Sequence, residues 1–102
     1  MDKNTGKQPN QKSKFTSISQ MSVKQKSDIA TWLYEIYRDF YVKNRTIPTE
    51  QSQHDELIEK LIQRVKQAKI RIPDKQIQLY YNSKQPPLLK RLKKEFPELS
   101  AE

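Results

Sequence analysis

The chain has 102 residues, 33% of them hydrophobic and 31% charged, with a net charge of +8 and no cysteine. That balance suits one small domain with some solvated chain, and it excludes disulfides and thiolate metal sites. A single histidine, His54, and a single glycine, Gly6, argue against a zinc centre within the chain and against a glycine-rich phosphate loop.

Residues 1–21 read as a disordered basic tail of Asn, Gln, Lys and Ser, with Phe15 and Ile18 as isolated apolar residues. A helix is predicted from Ser22 or Ser27 to Lys43. Ile29, Leu33, Ile36 and Phe40 recur at helical spacing, Trp32 and Tyr37 flank them, and Asp28, Thr31, Glu35, Arg38 and Asp39 take the opposite face. Ser22 with Gln25 three residues on has the form of a capping box; Ser27 followed by Asp28 is the alternative start.

The pattern breaks at 44–48 and resumes near Thr49 or Ser52, running to about Lys69. Leu57, Leu61, Val65 and Ala68 make its stripe, and Ile58 and Ile62 widen it. Two long helices joined by a short loop containing Pro48 predict an antiparallel hairpin. Residues 70–82 are ambiguous. Pro73-Asp74 with Ile77, Tyr80 and Tyr81 favours a helix. Alternation of Ile70 with Ile72, and of Ile77 with Leu79 and Tyr81, allows a β-hairpin and a winged-helix-like α+β fold. A last helix follows Pro86-Pro87 and stops at Pro97, with Leu88, Leu89, Leu92 and Phe96 on its apolar face. The expectation is an all-α domain over residues 22–97: a long helical hairpin, two short C-terminal helices, and a frayed end at 98–102.

Charge is unevenly spread. Residues 1–26 hold six lysines against Asp2, residues 27–69 balance seven basic with seven acidic side chains, and residues 70–102 hold seven basic and four acidic. Basic flanks on a neutral body suit an anionic partner, or serve solubility alone. Lys90, Arg91, Lys93 and Lys94 share the polar half of the last helix, for which phosphate is the natural counter-charge. Tyr80 and Tyr81, with Arg71, Lys75 and Lys84 nearby, offer aromatic rings among cations, the pairing that stacks bases and holds phosphates. Tyr34, Tyr37 and Tyr41 form a second stripe on the first helix: core edge, or an exposed protein interface.

No nucleophile–base pair, metal-ligand set or cofactor motif is present, and His54 beside Asp55 and Glu56 lacks the second histidine of a metalloprotease helix. No apolar run approaches the ~18 residues of a membrane span. The N-terminus lacks a secretory apolar stretch, and Asp2 stands where N-myristoylation needs glycine. The sequence therefore leads to a cytoplasmic, non-enzymatic, cofactor-free nucleic-acid-binding accessory protein, of DNA or RNA, acting through the C-terminal basic helix. The alternatives are a protein–protein adaptor or homo-oligomer docking through the tyrosine edge, and peripheral association with anionic lipid without integral membrane insertion.

Overall fold

The computed structural model describes residues 15–100, and those residues form four α-helices without a strand. The first, α1 (Val23–Asn44), starts where Ser22 and Gln25 satisfy each other. Gln25 N–H donates to Ser22 Oγ at 3.1 Å, and Ser22 N–H donates to Gln25 Oε1 at 3.0 Å. It ends at Arg45, which takes a left-handed conformation at φ 58° and returns its N–H to the Tyr41 carbonyl at 2.6 Å.

The second helix, α2 (Gln51–Gln67), opens with the Gln53 side chain accepting from the N–H groups of Thr49 and Glu50, at 2.8 and 3.0 Å. It stops short of Lys69. That lysine adopts φ 64°, so its N–H reaches the Lys66 carbonyl at 2.9 Å while Ile70 N–H reaches that of Val65 at 3.3 Å. This is a Schellman closure without the glycine that normally marks one, which is why the sequence pattern ran on through it. Ala68, expected on the buried stripe, is exposed as a result.

The ambiguous stretch 70–82 resolves as a short non-helical lead at 70–73 followed by helix: α3 spans Asp74–Ser83, entered through Pro73. Ile77 and Tyr81, one turn apart, are buried, whereas Leu79 is 49% exposed. A strand would have buried all three on one face, so the helical period prevails over the alternation. Lys84 alone separates α3 from α4 (Gln85–Glu95). Pro86 and Pro87 lie in the first turn of α4, where a missing N–H breaks no helical hydrogen bond.

Helix α1 is flanked on both sides, by α2 and by α4, and α3 packs against α2, α4 and a 3-10 turn at Ile18–Gln20. This placement moves the inward line of α1. Its deepest residues are Ile29, Leu33, Tyr37 and Tyr41, between the two stripes read from sequence, while Trp32, Ile36 and Phe40 are half-buried. They share one core with Leu57, Leu61, Val65, Ile77, Tyr81, Leu88 and Leu92. Met21 is buried, Phe15 and Ile18 pack on the core, and Phe15 N–H donates to the Arg71 carbonyl at 2.7 Å. The packed unit thus begins before residue 22, because three scattered apolar residues carry no period until α3 offers them a surface. At the other end, Pro97–Ser100 forms a 3-10 turn with Leu99 half-buried against the core.

Candidate nucleic-acid interface

Helix α4 is oriented by its apolar and acidic residues, and that orientation decides where its charges point. Leu88 and Leu92 are buried. At about 100° per residue, Lys90 and Lys94 then fall on the side directly away from the core, with Arg91 and Lys93 on the two flanks. All four are exposed.

The acidic residues of this region are engaged by α1. Tyr34 Oη donates to Glu95 Oε1 at 2.5 Å, and Arg38 Nε donates to Glu95 Oε2 at 2.6 Å. Tyr41 Oη donates to Glu98 Oε2 at 3.1 Å, with the Arg45 guanidinium 3.6 Å from the same oxygen. Between these two clasps the Phe96 ring meets that of Tyr41 at 4.9 Å and lies under the Arg38 guanidinium at 5.3 Å. Burial, then the bond to the Glu95 carboxylate, pushes the Tyr34 hydroxyl up to about 12. The same bond, followed by that from Arg38, holds Glu95 below the usual carboxylate range. Glu95 is the one carboxylate on α4, and its charge is already answered. Lys84, Lys90, Arg91, Lys93 and Lys94 form no ion pair among the described residues.

The expected tyrosine docking edge needs correction. Tyr34, Tyr37 and Tyr41 are 7%, 2% and 3% exposed: α4 and the following turn close over Tyr34 and Tyr41, and Tyr37 lies in the core. Their rings belong to the core and to the clasp, not to a free surface. Tyr81, expected as a stacking platform, also belongs to the core: it is fully buried, and its hydroxyl shares a hydrogen bond with His54 Nδ1 at 2.8 Å. Burial pushes that hydroxyl up to about 12. His54, which sequence alone left without a role, ties α2 to α3 through this bond.

Tyr80 is different. It is half-buried, Lys84 Nζ lies 5.5 Å from its ring centre, and it walls a hollow of about 190 Å³ lined also by Ala30, Leu33, Pro87, Leu88 and Arg91. The Arg91 guanidinium rests 3.9 Å from the ring centre of Tyr34. The fold therefore gathers Tyr80, Lys84 and Arg91 around one apolar floor, next to the outward lysines of α4. Arg71 and Lys75 are exposed but lie before and in the first turn of α3. Lys75 stands about 13 Å along the helix axis from Lys84, so these two cations do not join the group. The leucine and proline floor was invisible to sequence reasoning, since Leu33 and Leu88 read only as core. Lys3, Lys7, Lys12 and Lys14 lie outside the described residues.

No family model matches the chain, and comparison with curated proteins and with solved structures found no match. Among the described residues no helix is long and apolar enough to cross a membrane, and no cluster of three His, Cys, Asp or Glu side chains gathers to hold a metal ion.

Proposed function

We propose that the chain is a small, non-enzymatic, cytoplasmic nucleic-acid-binding accessory protein whose contact surface is the outer face of α4 with its approach from Tyr80 and Lys84. The observation that carries this reading is the unanswered charge. Five basic side chains lie between Lys84 and Lys94, and the single carboxylate on that helix is taken up by Tyr34 and Arg38. Phosphate is the anion such a surface attracts most readily, through release of counterions. The reading is non-enzymatic because the sequence carries no nucleophile–base or phosphate-cradling motif.

The test is to change Lys90, Arg91, Lys93 and Lys94 together to Gln, which keeps helix propensity and leaves the buried Leu88 and Leu92 untouched. The variant should fold as the wild type does by circular dichroism, bind more weakly, and lose about 3–4 units of salt slope on duplex DNA, or about 3 on single strands. Wild-type affinity and slope in the variant refute the site. Absence of wild-type binding even at low salt refutes the reading.

A protein–protein adaptor is a second reading, favoured now by the half-buried edge of Trp32, Ile36 and Phe40 on α1, where Arg64 of α2 lies 5.2 Å over the Trp32 ring. A pull-down from native lysate, with and without nuclease, separates the two: partners that survive nuclease support the adaptor.

A further inference from the structure

Tyr80 lines two hollows. One is the slot of about 190 Å³ floored by Leu33 and Leu88, with Lys84 and Arg91 at its rim. The other, of about 380 Å³, is bordered by Tyr80 together with Ser17, Ile18, Ser19, Gln76, Leu79 and Ser83. Leu79 is among the few large apolar side chains left exposed. Apolar floor, aromatic wall, cationic rim and hydroxyl groups thus follow one another across α3 and onto α4.

We infer that this track seats unpaired bases of a single-stranded nucleic acid, with Tyr80 as the stacking wall and Lys84, Arg91 and the outer lysines of α4 on the phosphates. The inference rests on the nucleic-acid reading above and adds to it a preference for single strands over duplex. A duplex keeps its bases stacked inside and presents phosphates and base edges, so it meets the lysines of α4 but leaves the slot empty. An unpaired base has a free π-face and fits beside an aromatic ring, while cations track its backbone. The two cations at the slot are suitably poised. Each rests on an aromatic face, Lys84 at 5.5 Å from the Tyr80 centre and Arg91 at 3.9 Å from that of Tyr34. Such contacts are weak at exposed positions, so Lys84 can turn to a phosphate as the base takes the Tyr80 ring, while Arg91 holds its charge at the rim of the slot. Stacking is a property of the aromatic face, so the role assigned to Tyr80 does not need its hydroxyl.

The experiment measures binding of the full chain to labelled mixed-sequence oligonucleotides, as single-stranded DNA, single-stranded RNA and duplex DNA, by fluorescence anisotropy at low salt. Wild type should bind at least one single strand more tightly than the duplex. Tyr80→Leu should weaken that binding about tenfold while leaving duplex affinity within about twofold, and Tyr80→Phe should restore it. In parallel, a strand carrying photoreactive bromouracil should cross-link wild-type protein at Tyr80, which keeps the question answerable if Tyr80→Leu fails to fold. Equal affinity for single strand and duplex, with no effect of Tyr80→Leu and no cross-link at Tyr80, overturns the inference while leaving the nucleic-acid reading in place. Failure to bind any of the three probes overturns both.

Discussion

Replacing Leu92 with alanine should loosen α4, and with it the surface on which the proposed function depends. Leu92 is fully buried on the side of α4 opposite Lys90 and Lys94. The substitution removes three carbon atoms, about 0.8 kcal/mol each in transfer free energy, and leaves a cavity that a terminal helix can only partly collapse. The expected destabilisation is about 2.5–4 kcal/mol. That is a large share of the roughly 5–10 kcal/mol that holds a domain of this size together. With a urea slope of about 1–3 kcal/mol per molar, the unfolding midpoint should fall by roughly 1–4 M. Lys90→Ala, an exposed change on the same helix, should stay within about 0.5 kcal/mol of wild type. Two probes make the assay decisive: fluorescence of Trp32, the sole tryptophan, on the α1–α2 side, and far-ultraviolet circular dichroism for all four helices. If α4 folds with the rest, both probes shift together. A midpoint no lower than that of Lys90→Ala would show that α4 is not packed through Leu92, and the orientation argued for its charges would fall with it.

Other consequences follow from the polar contacts. Tyr81→Phe removes the hydroxyl bonded to half-buried His54 and should cost about 1–2 kcal/mol in urea unfolding; no change would mean that water replaces the bond without loss. Tyr34 and Tyr81 both titrate at about 12 in the folded chain, above the ordinary 10.0, chiefly through burial. Because folding favours the protonated hydroxyl, their contribution to stability is complete below pH 10 and is lost as pH rises toward 12, so late tyrosine ionisation in ultraviolet absorbance should coincide with unfolding. Early titration of every tyrosine would contradict this. On the acid side, Glu95 is held below its ordinary range by Tyr34 and Arg38, so its contribution is present at neutral pH and fades as pH falls through the depressed value. Glu95→Gln should therefore flatten the acid limb of the stability profile, and an unchanged limb would dismiss the clasp.

The helices themselves were largely legible in the amino-acid order. Ser22 and Gln25 announce the start of α1, Pro86-Pro87 and Pro97 bracket α4, and the recurrence of Leu57, Leu61 and Val65 gives α2, because caps, prolines and apolar periods act within a few residues along the chain. The basic half of α4 was legible for the same reason. Other features depended on partners distant in sequence. The periods of Ile29-Leu33-Ile36-Phe40 and Tyr34-Tyr37-Tyr41 compete on one helix, and only the presence of α2 on one flank and α4 on the other sets the buried line between them. Tyr80 and Tyr81 are adjacent and chemically identical, yet one meets His54 in the core and the other walls an open slot, since neighbours on a helix point about 100° apart. Glu95 could have paired with the lysines of its own helix. Tyr34 and Arg38, some sixty residues earlier, reach it instead, and that tertiary pairing leaves the basic side chains of α4 without an ion-pair partner among the described residues.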